Sequence, residues 1–124
     1  MKTSSRIATI HIQAGDGMID RARAGALAAI RSGKYQGEHF GFESPAALFR
    51  TITPKRWELL AKLQQTGPLG IRGLARELER DFRRVHDDVT ALIEIGLIEK
   101  TDDGKIWVPF KEIRTNFVMH SAAA

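Results

Sequence analysis

Apolar residues recur at three- and four-residue spacing from Ile71 onward, then give way to two short β-branched runs around an Asp-Gly pair. Ile71, Leu74, Ala75 and Leu78 form one stripe at helical period, and Ala75 is small where a crossing helix needs room. Asp81 is a good N-cap for a second helix over 82–95. Its stripe of Phe82, Val85, Val89, Leu92 and Ile93 crowds into roughly 100° of arc, which predicts a half-buried helix. Gly96 stands where a left-handed residue stops a helix. Ile98–Lys100 and Lys105–Val108 then read as strands joined by Thr101-Asp102-Asp103-Gly104, a strong hairpin signal.

Upstream the pattern is weaker. Residues 6–12, RIATIHI, predict a strand. Asp16 caps a helix over 17–31 whose Ile19, Ala22, Ala26 and Ile30 share a face. That face reads equally as core or as a dimer surface, with Ile10 and Ile12 of the strand beside it, because residues 1–50 alone are poor in large apolar groups. Residues 35–43 suggest an irregular strand with Phe40 and Phe42 inward. Ser44-Pro45 and Thr53-Pro54 each carry a cap followed by proline at the first helical position. They open a short helix to about residue 50 and a stronger one to about 65, with Trp57, Leu60, Ala61 and Leu63 as core. In the tail, Phe110, Ile113, Phe117 and Val118 are expected to pack, against the N-terminal segment.

The fold expected is mainly α with a small β-hairpin (α+β): a winged helix-turn-helix over 51–119, a strand-helix extension over 1–50, and a frayed end at 120–124. Its helix over 82–95 would be the recognition helix, and its hairpin over 98–108 the wing.

Composition adds bounds. The 124 residues suit one domain and contain no cysteine, which excludes disulfides, thiolate metal sites and cysteine nucleophiles. No apolar run approaches the roughly 18 residues that suggest a membrane span, and no secretory signal opens the chain; a cytoplasmic protein is expected. Net charge is +4, yet residues 54–124 hold 12 Lys+Arg against 11 Asp+Glu, while residues 1–53 hold 7 against 4. A polyanionic partner must therefore be met by placed side chains rather than by the global field.

The face of helix 82–95 opposite its apolar stripe carries Arg83, Asp87, Thr90 and Glu94, flanked by Arg84 and His86. Arginine bonds guanine O6 and N7 together, aspartate accepts from cytosine N4, and threonine touches the thymine methyl. Since the N-terminal turns of a recognition helix enter the groove, Arg83, Arg84, Asp87 and Thr90 are the candidate base readers. His86 suits packing or phosphate, and Lys100 and Lys105 flank a hairpin tip suited to backbone contact. A plain solvated face, with Arg83 and Asp87 paired at i,i+4, is the competing reading. Asp88 is expected to hold Arg72 or Arg76 of the preceding helix toward phosphate.

The run GLARELERDFRRVHDDVTALIEIGLIEKTDDGKIWVPF resembles the MarR-like winged helix-turn-helix regulators, closest to short antitoxin-like DNA-binding proteins of bacteria and archaea. The resemblance rests on Leu74-Ala75, Val85, Val89, Leu92 and Gly96-Leu97-Ile98, and extends upstream to about two-thirds of the chain. It implies a homodimer on a palindromic double-stranded operator, with Arg83 and Arg84 on the recognition helix and Lys105 on the wing. The sequence departs from the common pattern in placing Glu79-Arg80-Asp81, without glycine, between the two helices, and in adding Asp87 beside Asp88.

A dimeric autorepressor is thus the first functional expectation. The alternative is an antitoxin that neutralises a protein toxin through residues 1–50 and autoregulates through the winged helix; a pure protein-interaction or RNA-binding module is a third reading. Four scattered histidines lack metal-ligand spacing, and no Walker-A loop, GxSxG or GxGxxG occurs, so neither an enzyme nor a cofactor is expected.

Overall fold

The computed structural model describes residues 5–12, 37–119 and 121. In chain order the described elements are β1 (Ile7–Ile12), β2 (Glu38–Phe42), α1 (Pro45–Thr51), α2 (Pro54–Thr66), α3 (Ile71–Leu78), α4 (Phe82–Ile95), β3 (Glu99–Lys100), β4 (Ile106–Trp107) and β5 (Glu112–Asn116). This is a small α+β protein. The expected helix over 17–31, and with it Ile19, Ala22, Ala26 and Ile30, lies outside the described residues, as does most of the 120–124 tail.

The chain divides into two compact units. One spans Thr51–Lys111; the other takes residues 6–50 together with the C-terminal segment from Glu112.

That second unit holds a three-stranded parallel sheet in the order β2-β1-β5. A parallel pair needs a long crossover, and residues 13–37 between β1 and β2 supply the length. Period-two alternation sets the faces: Ile10 is registered with Phe40, Ile12 with Phe42, and Ala8 with Ile113. Ala8, Ile10 and Ile12 are buried. Ile10 and Ile12, expected at a dimer interface, are instead covered within the single chain. The tail does not merely pack: β5 pairs with β1 along its length, while Phe117 and Val118 beyond it remain exposed. Pairings this distant leave no local trace in a sequence.

The helical unit follows its local signals. Thr53 caps α2, its Oγ1 accepting from the Arg56 N–H at 3.4 Å, with Pro54 at the first position. Asp81 caps α4 by accepting from the Arg84 N–H at 3.2 Å. The turn between α3 and α4 needs no glycine because Glu79 itself takes the left-handed conformation, φ 53° and ψ 47°. Its N–H donates to the Arg76 carbonyl and that of Arg80 to the Ala75 carbonyl, closing α3. At the far end Gly96, φ 105°, lets its own N–H and that of Leu97 return to the Leu92 carbonyl. The hairpin strands are shorter than expected. Gly104, φ 84°, turns the tip, and Leu69 adds an antiparallel bridge to Ile106.

Leu59, Leu60, Leu63, Leu74, Val85, Val89 and Leu92 are all at most 2% exposed and form the helical core, which Leu97, Ile98 and Ile106 extend beneath the hairpin. Burial at this level stabilises by about 1.5–3 kcal/mol per large side chain. The expected core is corrected at four positions. Ala61 is exposed, Trp57 and Ile93 are only half-buried, and Phe82 is 38% exposed. Leu59 fills the place expected for Trp57's side of α2, since the stripe of α2 runs Leu59, Leu60, Leu63. Phe82 stands at the first position of α4, where Arg72 of α3 lies over its ring without burying it.

Candidate functional site

With Val85, Val89 and Leu92 turned inward, the other faces of α4 are free for solvent or ligand. Arg83, Arg84, His86, Asp87 and Thr90 are all exposed, as are Arg72 and Arg76 on α3 and Lys100 and Lys105 at the hairpin. Arg83, Asp87, Thr90 and Glu94 share one stripe at i, i+4, i+7 and i+11, all exposed. Thr90 Oγ1 donates to the His86 carbonyl at 2.9 Å, which spends its proton within the helix. His86 Nδ1 lies 3.8 Å from Asp87 Oδ1, and its ring is tilted against Phe82 at 6.1 Å between centroids.

Arg72 differs from expectation. Its guanidinium lies over the Phe82 ring, 4.5 Å from the centroid, a cation–π contact worth about 0.5–1 kcal/mol at an exposed site. Asp88 also differs: it binds neither Arg72 nor Arg76. Oδ1 accepts from Arg56 Nε at 2.9 Å and Oδ2 from Arg80 Nη2 at 2.7 Å, with the three side chains 14–22% exposed. Arg56 also donates to the Thr51 carbonyl at 2.8 Å. One carboxylate thereby ties the start of α2 and the α3–α4 turn to the middle of α4. Asp88 points to these cations because the half-turn between the core stripe and the display stripe faces α2 and the turn, not the outer side of α3.

Two open clefts flank the start of α4. One is lined by Arg72, Ala75, Arg76, Glu79, Arg80 and Phe82; the other by Lys55, Arg80, Asp81 and Arg84. Sequence reading singled out neither Lys55 nor Arg56 nor Arg80. The only sequence signal for Lys55 is its position, second in α2 behind the Thr53-Pro54 start.

At the hairpin tip Thr101 Oγ1 donates to Asp103 Oδ1, and the Lys105 N–H donates back to Thr101 Oγ1 at 3.0 Å. The Thr101 hydroxyl, aided by backbone N–H groups and Lys105, holds the Asp103 carboxyl below its usual range. Lys105 Nζ stands 3.9 Å from Asp103, so the aspartate partly offsets the lysine expected to make contacts, while Lys100 is exposed on the facing strand.

In the sheet unit His11 Nε2 and His39 Nδ1 share a hydrogen bond of 2.7 Å with stacked rings. Among the described residues, no three His, Cys, Asp or Glu side chains gather as a metal site, and no helix is long and apolar enough to cross a membrane.

Residues 51–115 match the model of a protein family described as HVO_A0114, just over half of the chain. No curated protein matches it.

Proposed function

The chain belongs to the HVO_A0114 family, and we propose that it is a sequence-specific DNA-binding transcriptional regulator of winged helix-turn-helix type, akin to the MarR-like and antitoxin-like regulators and acting as a homodimeric autorepressor. The observation that carries this reading is the exposed stripe Arg83, Asp87, Thr90 on the N-terminal half of α4, the helix being held rigid from behind by Val85, Val89, Leu92 and the Asp88 ion pairs. The stripe offers a bidentate donor, an acceptor and a methyl group in succession, matching what base edges present in a major groove. Arg76 and the wing residues Lys100 and Lys105 contact phosphates on either side. A single such domain reads few base pairs, so two copies on a palindromic operator supply the specificity. No cofactor and no catalysis enter this reading, and its place of action is the cytoplasm.

A second reading, an antitoxin neutralising a partner protein, is favoured by one observation in the sheet unit. Phe49 and Phe117 meet edge to face at 6.3 Å between centroids, and both, with Val118 and Met119, are 37–80% exposed. Large apolar groups left at a surface mark interaction sites. A second copy is the first candidate to cover them and a cognate toxin the other.

The test is fluorescence anisotropy of the purified protein on a duplex from its own upstream region, across a salt series. Affinity that falls steeply with salt, and an Arg83→Ala variant that loses more on this duplex than on a shuffled one, are the expected results. Absence of duplex binding at low salt would sink the regulator reading. A stable complex with the product of a neighbouring gene would bring the second reading forward.

A further inference from the structure

We propose that the cleft lined by Lys55, Arg80, Asp81 and Arg84 is a seat for one backbone phosphodiester of duplex DNA, and that Arg84 works there rather than on a base. The inference rests on the DNA-binding reading above and deepens it. The cleft is open and roughly 580 Å³ in volume, room enough for a phosphate group. Lys55 from α2 and Arg84 from the first turn of α4 line it with exposed side chains, so two stretches distant in sequence bring cations to one place.

The local charge balance favours an anion although the unit as a whole is nearly neutral. Lys55, Arg56, Arg80 and Arg84 face two carboxylates, Asp81 and Asp88, leaving +2. Asp88 is shared between two guanidiniums, and one oxygen of Asp81 is spent on the Arg84 N–H. Arg80 lines the cleft with its Nη2 fixed on Asp88 at 2.7 Å, which holds its guanidinium in place there. The first N–H groups of α4, which have no intrahelical acceptor, add a favourable field beside the same cleft.

Helical geometry separates Arg84 from Arg83. The two differ by about 100° around α4. Arg83 stands on the stripe with Asp87 and Thr90, whereas Arg84 turns toward Lys55. One arginine is thus placed to read and its neighbour to anchor.

The experiment is the same anisotropy salt series on the full chain, with the upstream duplex and a shuffled duplex as probes, for Lys55→Ala, Arg84→Ala and the double variant. Lys55→Gln and Arg84→Gln serve as variants that keep side-chain volume, and thermal unfolding confirms that each is folded. Each single variant should weaken both duplexes by a similar factor. Because both residues serve one phosphate, the double variant should lower the salt slope by about 0.9 in total, not twice that. An unchanged slope with intact DNA binding overturns the seat alone. Loss confined to the upstream duplex in Arg84→Ala also overturns it, by making Arg84 a base reader. Failure of the unaltered protein to bind either duplex overturns the seat and the DNA-binding reading together.

Discussion

Asp88 Oδ2 accepts from Arg80 Nη2 at 2.7 Å, which fixes the α3–α4 turn against the middle of α4. With Arg56 on the other oxygen, the carboxylate balances two guanidiniums that are mostly out of water. Asp88→Ala leaves both cations without their acceptor, and should cost about 2–4 kcal/mol in urea unfolding, toward the low side of buried-pair losses because the site is partly solvated. Asp88→Asn, which keeps one acceptor oxygen, should cost less. A loss below about 0.5 kcal/mol in Asp88→Ala would mean the pairs behave as surface ones.

The left-handed Glu79 yields a second expectation. An L residue with a side chain stores about 1–2 kcal/mol there, and a β-branched one fits worst. Glu79→Gly removes this strain but adds freedom to the unfolded chain, so it should fall within about 1 kcal/mol of the natural protein. Glu79→Val should lie at least about 1 kcal/mol below Glu79→Gly in chemical denaturation. Equal stabilities would show that the turn relaxes away from φ 53°.

Leu92 is fully buried and its carbonyl receives the N–H groups that close α4. Truncation to alanine keeps that backbone and removes only packing. Leu92→Ala should therefore destabilise by about 2–5 kcal/mol, read as a lower urea midpoint with a similar slope. The exposed Glu94→Ala on the same helix should change stability by less than about 0.5 kcal/mol.

The hairpin tip carries a pH expectation. The Thr101 hydroxyl is the main cause that holds the Asp103 carboxyl below its usual range. A depressed folded value means the turn contacts help folding above the unfolded carboxylate value, about 3.9, and that this help is lost as pH falls through the folded one. An NMR titration should find Asp103 protonating below the usual carboxylate value. Thr101→Val should move Asp103 back toward the usual range; an unmoved titration would assign the shift to another cause.

Particular residues mark how far the sequence was legible. Thr53-Pro54, Asp81 and Gly96 announce their helix ends because a cap is satisfied within three or four residues of itself. The Asp-Gly pair announces the hairpin for the same reason. The exposed stripe of α4 is equally legible, since it is the complement of Val85, Val89 and Leu92. Phe82 misleads because periodicity places it on the core stripe, while at the helix start it is 38% exposed with Arg72 over its ring. Asp88 misleads in its partners, because which arginine lies within reach is a property of how helices cross.

The sequence alone therefore determined the succession of helices and hairpin, the inward stripe of each helix and the candidate display face, all consequences of local hydrogen bonding and helical period. Only the tertiary structure decided that β5 returns to pair in parallel with β1, that Arg56 and Arg80 share Asp88, and that Lys55 meets Arg84 across one cleft. These depend on contacts between residues far apart in the chain, and their partners are chosen by packing rather than by any spacing a single sequence displays.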